Sequence, residues 1–500
     1  MDQSTTPLVT ALQHCANRPN AAFYTPGHKR GQGITSKHRD LFGAAAFRAD
    51  LPELPELDNL FAPEGVILQA QQLAAEAFGA QRTWFLANGS TCGIEAAILA
   101  TCGPGDKLIV PRNVHSSAIS GLILSGAVPI YISPNYSSKW DMPTDVAVES
   151  IKVALQEHPD AKAVLIVSPT YQGVCSNLSA IAALTHRHNI PLIVDEAHGP
   201  HFAFHPELPT SALAVGTDIV IQSAHKVLSA FTQAAMLHVK GTRIDHNRLS
   251  QSLQLTQSTS PSYLLLGSLD AARYQMATEG TALLSETLKQ ADRAAAELNK
   301  LPGLSVLQPR SKSFSTPDTQ STTEEDNLQG LYGDRTRITV DVSALSLTGF
   351  QADDIFHTQH SITAELPSLR ALTFIISLGN TKTDIDQLTK GFTQLSQTYS
   401  SNTEQSLIIS PTPPVAERSR SPLSPRQAFF AVKKPIPVDQ SIGHISAETI
   451  CPYPPGIPTI LPGELITENA IAHLQTTLKA GGIITGCADP TFNTILTVKN

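Results

Sequence analysis

The chain has 500 residues, which is too long for one ordinary hydrophobic core, so we expect two or three domains. Hydrophobic residues make up 41% and charged residues 16% of it. No apolar run reaches the roughly 18 residues that a membrane span needs. The net charge of −8 argues against nucleic-acid and anionic-membrane partners, which attract clustered Lys and Arg, and it fits a cationic substrate.

The cysteines indicate neither a metal site nor a disulfide framework. None of them form a CxxC pair, and their spacing matches neither a zinc site nor a small disulfide-bonded scaffold. The N-terminus also lacks the basic segment and apolar run of a signal peptide. We therefore expect a cytoplasmic protein with no metal and with six free thiols, namely Cys15, Cys92, Cys102, Cys175, Cys451 and Cys487.

The first part of the chain predicts an arm followed by a helix. Residues 1–40 are polar with little periodicity, which is typical of an arm rather than a domain. A helical pattern begins at Pro63, a residue well placed to open a helix. Its apolar positions share one face and are Ile67, Ala70, Leu73, Ala74, Ala77 and Phe78.

Six short apolar runs then alternate with helical stretches. They are rich in β-branched residues and apolar nearly throughout, as expected for strands of a parallel sheet buried on both faces. The runs are Thr83–Leu86, Lys107–Val110, Val128–Ile132, Ala163–Val167, Leu192–Val194 and Asp218–Ile221. The alternation predicts an α/β large domain over residues 41–310, with a mostly parallel sheet covered by helices on both sides.

Two polar segments divide the remainder of the chain. Residues 311–330 are poor in apolar side chains, and residues 400–424 are rich in Ser and Pro, so we expect loosely held loops at both places. Between them residues 331–399 predict a small α+β domain. Residues 425–500 follow as a C-terminal domain.

Three motifs that could bind a ligand or take part in catalysis follow predicted strands, where open α/β sheets place their ligand sites. Asn88–Gly93 (NGSTCG) opens a helix and could bind an anion through its backbone N–H groups, although Ser and Thr there are also ordinary helix caps. Asp195 ends a buried strand and could keep a pyridinium nitrogen protonated, or it could cap the turn. His115 could stack on a flat ring, or it could be a hydrogen-bonded loop histidine.

The fourth motif is Ser223-Ala224-His225-Lys226, directly after a predicted strand. A lysine that leaves a buried strand beside a histidine could form an imine with an aldehyde, as catalytic lysines do. A surface lysine at a strand end is the alternative. The four motifs together are far more specific than any one alone, because they assemble a phosphate site, a ring-stacking group, a ring-pairing acid and an imine-forming amine.

These motifs resemble the ornithine/lysine/arginine decarboxylases, which have the aspartate-aminotransferase-type fold (fold type I of pyridoxal-phosphate enzymes). The resemblance runs over nearly the whole chain. It is carried by TPGHKRG (25–31), LDNLFAPEG (57–65), NGSTCG (88–93), PRNVHSS (111–117), SPTYQG (168–173), VDEAHGPHF (194–202), SAHKVLSAFTQ (223–233) and CPYPPGIPTILPGE (451–464). It implies a pyridoxal 5′-phosphate cofactor and decarboxylation of a basic L-amino acid.

The resemblance also implies roles for individual residues. Lys226 would carry the cofactor as a Schiff base, Asp195 would pair with the pyridine nitrogen, and His115 would stack on the ring. Either Lys226 or His225 would return a proton to the substrate's α carbon. The residues expected around the cofactor are Ser90, Thr91, Cys92, His115, Asp195, Ala197, His198, Ser223, His225 and Lys226.

Assembly and substrate are less closely defined by the resemblance. It implies a homodimer or higher homo-oligomer in which Ser258–Tyr263 reaches the partner's cofactor, although the chain begins without the wing domain of the long family members. Ser116 stands where many relatives carry Lys. Glu464, Glu365 and Asp489 are the candidates for binding a cationic substrate. A structural role in its motif, or shaping of the substrate's entry, explains Glu464 equally well, while Glu365 and Asp489 are expected to cap or pair at the surface.

Arginine is favoured over lysine and ornithine as the substrate, because short members of this family are often arginine decarboxylases that make agmatine. Aminotransfer or other chemistry with the same cofactor remains the nearest alternative, since a fold does not fix a reaction. A non-catalytic regulatory homologue is the alternative from another class.

Overall fold

The computed structural model describes residues 1–307, 309, 331–399, 421–453 and 456–499. They form two compact units, each assembled from separate stretches of chain. The first unit contains Met1–Ala100, Ile193–Pro206 and Thr210–Leu283, and the second contains Thr101–Leu192, Glu207–Pro209 and Leu284–Asn500. The predicted loop at 311–330 and residues 400–420 of the second predicted loop lie outside the described residues. The predicted domain boundaries stay a prediction.

The helices of the described residues are α1 (Pro7–Asn17), α2 (Ser36–Ala49), α3 (Val66–Phe78), α4 (Gly89–Thr101), α5 (Ser116–Ser125), α6 (Val148–Glu157), α7 (Leu178–Arg187), α8 (Ala224–Val227), α9 (His246–Thr256), α10 (Tyr263–Leu298), α11 (Gly349–Ile355), α12 (Lys382–Tyr399), α13 (Pro425–Phe430) and α14 (Glu468–Lys479). Among them, none combines the length and the apolar character needed to cross a bilayer.

The strands in the same residues are β1 (Arg82–Leu86), β2 (Lys107–Pro111), β3 (Val128–Ile132), β4 (Tyr136–Ser137), β5 (Met142–Pro143), β6 (Ala163–Val167), β7 (Leu192–Asp195), β8 (Ile219–Gln222), β9 (Ala235–Val239), β10 (Ser305–Leu307), β11 (Arg337–Asp341), β12 (Leu366–Pro367), β13 (Ala371–Ile375), β14 (Lys433–Pro437), β15 (Cys451–Tyr453), β16 (Ile483–Thr485) and β17 (Thr494–Val498).

The fold is mixed α/β with a large, mostly parallel sheet, which confirms the predicted fold class. In the first unit the strand order is β1-β9-β8-β7, with β7 parallel to β8 and with β9 antiparallel to both of its neighbours. In the second unit β2 lies between β3 and β6 and is parallel to both. All six predicted strands are present within a residue of their expected ends, while β9 was not predicted.

The second unit also contains two smaller α+β arrangements. A four-stranded antiparallel sheet of order β10-β11-β13-β12 packs its apolar side chains with those of α11 and α12. Further along the chain, β14 pairs with β17 and β15 pairs with β16, and α14 contributes to a separate apolar core beside them. These are the smaller α+β parts that the sequence predicts.

The first helical segments differ from the sequence prediction in two places. Helix α3 begins at Val66 rather than at Pro63, because the Asp58 carboxylate accepts the backbone N–H groups of Gly65 and Ile67 and so fixes the start of the helix. Residues 1–40, in which little periodicity was seen, contain the whole of helix α1 and the start of α2, while their assignment as an arm stays a prediction.

A buried ion pair fixes α1 in the first unit. Arg273 and Asp270, one turn apart on α10, are both fully buried and lie 2.5 Å apart between nitrogen and oxygen. Asp270 also accepts the backbone N–H groups of Leu8 and Val9 at the start of α1, and Arg273 donates to the carbonyl oxygen of Thr5. The carboxylate therefore caps a helix that is more than 200 positions away in sequence.

Replacing Asp270 with Ala leaves the buried guanidinium without its counter-charge and removes the cap of α1. Breaking a buried pair in this way costs about 3–5 kcal/mol, so we expect a loss of that size in the free energy of unfolding, measured with urea. The control Lys152→Ala breaks the exposed pair with Glu149 and should change stability by less than about 1 kcal/mol. Equal losses in the two variants would contradict the anchoring role.

Candidate active site

The predicted phosphate site lies where α4 begins, immediately after β1. The hydroxyl of Ser223, which follows β8, donates to the hydroxyl of Ser90 at 2.8 Å. The first N–H groups of α4 have no partner within the helix, so this end presents several donors to an anion. Thr91 is exposed at the same end, whereas the thiol of Cys92 donates to the carbonyl oxygen of Gly89. Ser90 and Thr91 at the start of α4, and Ser223 bonded to Ser90, are all among the residues expected around the cofactor.

A glycine lets α4 approach the sheet closely. A Cβ atom at Gly93 would lie 2.7 Å from the side chain of Leu86 and 3.0 Å from that of Ile221, which is closer than packed atoms tolerate. A Cβ atom at this position would force one or both of these side chains to shift. Gly93 therefore allows the first turn of α4 to pack directly against them.

The predicted acid and the predicted lysine occupy neighbouring strand ends of the first unit. Asp195 is the last residue of β7, is 7% exposed, and accepts the backbone N–H of Ala197 at 3.2 Å. Lys226 lies in the short helix α8 directly after β8, which runs parallel to β7. Its Nζ atom is 3.0 Å from Nε2 of His198, so a proton can pass between the two groups.

His225 is held by its backbone rather than by its ring. Its N–H donates to the carbonyl oxygen of Ala234 at 3.2 Å, which ties α8 to the segment before β9. Burial of the half-buried ring, followed by the charge of Lys226, lowers the pKa of His225 below its usual range. The imidazole is therefore neutral at neutral pH and can accept a proton.

His115 belongs to the second unit, at the start of α5. Its ring accepts the N–H of Ser117 at 3.2 Å and lies 2.9 Å from the hydroxyl of the same residue. These bonds orient the imidazole from its Nδ1 edge. The predicted stacking role stays a prediction.

The three acidic residues considered for substrate binding have different surroundings in the structure. Glu464 is buried and pairs with the buried Arg112 at 2.7 Å, and it also accepts the N–H of Leu461. Asp489 caps its own loop through the N–H groups of residues 491, 493 and 494, as expected of a surface cap. Glu365 is exposed. The charge of Glu464 is therefore already matched within the protein.

A buried polar chain that was not predicted crosses the strands of the first unit. Thr83 on β1 contacts Nδ1 of His238 on β9 at 2.8 Å, and Nε2 of that ring lies 3.1 Å from the side-chain oxygen of Gln222 on β8. The amide of Gln222 donates to Glu196 at 2.7 Å, and Glu196 also accepts the N–H of Ala212 at 2.8 Å. The chain of bonds ends one residue after Asp195.

The protonation of this polar chain follows from its burial. Burial lowers the pKa of His238 to about 3, so the ring is neutral, and it donates from Nε2 while Nδ1 accepts from the Thr83 hydroxyl. Burial also raises the pKa of Glu196 to about 8, against the opposing hydrogen bonds from Ala212 and Gln222. Glu196 and Gln222 directly adjoin Asp195 and Ser223 in sequence, so the polar chain positions the strand ends that carry the site.

Comparisons with family models and with known proteins all indicate the same family. The family model "Orn/Lys/Arg decarboxylase, major domain" matches residues 6–384, and "Orn/Lys/Arg decarboxylase, C-terminal domain" matches residues 418–484. The chain belongs to the Orn/Lys/Arg decarboxylase family. It is 39% identical to an arginine decarboxylase of Bacillus subtilis (strain 168) over 502 residues, covering 100% of this chain and 99% of that protein. A Bacillus anthracis arginine decarboxylase is 37% identical and is covered to 98%.

A solved structure supports the same fold for this decarboxylase. A lysine decarboxylase of Francisella novicida superposes with a TM-score of 0.84 at 24% identity, covering 99% of this chain and 81% of that one. The family models confirm the predicted family, and the superposition confirms the predicted fold.

The donor set at the strand ends fits the cofactor that this family implies. Pyridoxal phosphate needs donors for its phosphate, a carboxylate for its ring nitrogen, and a primary amine for its aldehyde carbon. Within the first unit these are the hydroxyls of Ser90 and Ser223, the carboxyl group of Asp195, and Nζ of Lys226. All of them stand at the ends of adjoining elements of one unit.

The raised pKa of Glu196 predicts a pH dependence of stability. Between pH 4.5 and about 8 the folded protein keeps this proton while the unfolded chain loses it, so folding stability from this group falls as pH rises. The difference in free energy of unfolding between wild type and Glu196→Gln should shrink across that window and become constant above it. Urea unfolding at each pH measures it. The difference between wild type and Glu64→Gln, an exposed change in the same unit, should show no such trend. A difference between wild type and Glu196→Gln that does not vary with pH would refute the assignment.

Proposed function

We propose that this decarboxylase converts L-arginine to agmatine and CO2 with pyridoxal 5′-phosphate held by Lys226. The observation that carries the proposal is the cluster of Lys226, Asp195 and the Ser90–Ser223 pair at the strand ends of the first unit. The choice of arginine is supported by the two Bacillus relatives, which are arginine decarboxylases of nearly the same length.

When bound, the cofactor supplies the electron sink that accepts the bonding pair as the substrate loses CO2. The protein's own residues would hold the cofactor and orient it. Lys226 would hold the aldehyde carbon, Asp195 would keep the ring nitrogen protonated, and the hydroxyls of Ser90 and Ser223 would bind the phosphate. His115 and Ala197 would contact opposite faces of the ring.

After CO2 leaves, the substrate's α carbon needs a proton. We favour Nζ of Lys226 as the donor, because Nε2 of His198 lies 3.0 Å away and can supply the next proton. His225, beside Lys226 in sequence, is the other candidate, but its lowered pKa leaves the ring without a proton to donate at neutral pH. The two assignments differ in the residue whose replacement would slow this step.

Two other functions are less well supported. Aminotransfer uses the same fold and cofactor, but the family match covers both the major domain and the C-terminal decarboxylase domain. A non-catalytic homologue has no need for both Lys226 and Asp195, and both stand here with buried or bonded neighbours. Decarboxylation therefore remains the proposal.

We also propose that the protein works in the cytoplasm as a homodimer or higher homo-oligomer. None of the 14 residues of α2 is buried in the single chain, and its Leu41 and Phe42 are 74% and 59% exposed. An apolar helix surface of this kind is typical of an interface, and we assign it to a second copy. All six cysteines carry free thiols, which suits a reducing compartment.

Assay of the purified holoenzyme with arginine, lysine and ornithine tests the proposed reaction. We expect CO2 and agmatine from arginine at a higher kcat/KM than for the other two substrates. Lys226→Ala should lose nearly all turnover and the visible absorbance of the bound cofactor, because the covalent link is gone. Lys162→Ala, at an exposed lysine, should keep both. A keto acid product, or a fully active and coloured Lys226→Ala variant, would overturn the proposal.

A further inference from the structure

The connection between β1 and α4 is very short. It consists of Ala87 and Asn88, and α4 with Ser90 in its first turn begins directly after it. We call these two residues the phosphate turn. The backbone pairing of β1 with β9 ends at Leu86 and Ala235, one residue before the turn. The position of Ser90 therefore depends on whatever holds the turn beyond the end of this pairing.

Two glutamine side chains hold the phosphate turn. Ala87 is buried, with 3% of its surface exposed, so both of its backbone groups need hydrogen-bond partners. Its N–H donates to Oε1 of Gln257 at 2.8 Å, and Nε2 of Gln233 donates to its carbonyl oxygen. A carbonyl oxygen can only accept, so the bond to Gln233 requires an N–H donor on that side chain. The two amides take the place of a neighbouring strand.

The backbone of Gln233 is in a conformation that favours glycine. Its φ angle is +86°, in the left-handed region that residues with a Cβ atom adopt infrequently. Such sparsely populated conformations are concentrated at functional sites. Glycine would remove the strain, but it has no amide to donate to Ala87. The side chain is therefore what a glutamine supplies at this position.

The segment that contains Gln233 also holds the helix of Lys226. The carbonyl oxygen of Ala234 accepts the N–H of His225 in α8 at 3.2 Å. The carbonyl oxygen of Gln233 itself lies near the start of α4, since a Cβ atom at Gly89 would be 3.7 Å from it. Two consecutive residues thus contact the lysine helix on one side and the phosphate turn on the other.

A cofactor that bridges these two elements needs them at a set separation. Pyridoxal phosphate carries its aldehyde and its phosphate on one rigid ring, so both attachments form together only when their positions match. Ser223 and Lys226 shift together, because the N–H of Lys226 donates to the carbonyl oxygen of Ser223 at 3.1 Å. Ser90 belongs to α4, whose start is placed by the phosphate turn.

We propose that Gln233 is a positioning residue of the cofactor site, which holds the phosphate turn at the separation from Lys226 that the phosphorylated cofactor requires. Its amide bonds Ala87, so it acts through the turn rather than on the reacting atoms. The proposal rests on the proposed function, since it assumes that Lys226 and the Ser90–Ser223 pair hold the two ends of pyridoxal phosphate.

Pyridoxal, which has the aldehyde but no phosphate, separates this role from a general structural one. Full-length apoenzyme is titrated with pyridoxal phosphate and with pyridoxal, and the visible absorbance of the bound form gives each dissociation constant. Gln233→Gly removes the amide and relieves the backbone strain. It should raise the dissociation constant for pyridoxal phosphate by about three- to tenfold, the effect of one lost hydrogen bond. The constant for pyridoxal should stay unchanged.

Gln233→Met is the second variant, because it keeps the length of the side chain and removes only the N–H donor. It should show the same selective loss of pyridoxal phosphate binding. Gln233 is exposed in the single chain, so neither change disturbs the apolar core, and thermal unfolding checks the folding of each variant. Gln254→Met, at an exposed glutamine of α9, is the matched control and should leave both dissociation constants as in wild type.

A selective loss of pyridoxal phosphate binding in both variants supports the proposal. Equal weakening of pyridoxal phosphate and pyridoxal, or unchanged binding of pyridoxal phosphate in both variants, overturns it. The reaction is judged separately, by CO2 release from arginine with wild type. A wild type that releases no CO2, in a set of variants that still show the selective loss, contradicts the proposed reaction and supports the positioning role of Gln233.

Discussion

The hydrogen bond from Gln222 to Glu196 is the interaction on which the site in the first unit depends. It joins the ends of β8 and β7 within the apolar interior, one residue away from Ser223 and Asp195. A bond of this kind stabilises the fold by only about 0.5–1.5 kcal/mol, but leaving one partner unpaired in the interior costs about 1–3 kcal/mol. The two strand ends therefore keep a fixed spacing, and this spacing also fixes the positions of Ser223 and Asp195.

The apolar pattern of the sequence predicted the strands well but not the polar chain behind them. Six strands were predicted because strands buried on both faces show continuous β-branched runs. Thr83, Gln222 and His238 stand within or beside such runs and interrupt them. Their partners lie on other strands, so no local pattern pairs them. A signal was nevertheless present, since a polar residue in a fully buried strand must find a hydrogen bond.

Other differences have similar physical causes. The start of α3 depends on a carboxylate that reaches it from the preceding loop, and Pro63 alone does not reveal that contact. The sequence left Glu464 open between a substrate-binding and a structural role, and its charge is matched by Arg112 across 352 positions of sequence. The pairing of distant charges is visible only after folding.

The central claim is that Lys226 is the residue that holds the cofactor. Borohydride reduction of the purified holoenzyme, followed by peptide mass mapping, tests it most directly, because reduction fixes the cofactor to whichever amine carries it. We predict a pyridoxyl group on the peptide that contains Lys226 and on no other lysine peptide. A pyridoxyl group on a different lysine, or a coloured holoenzyme that gives no modified peptide, would contradict the assignment.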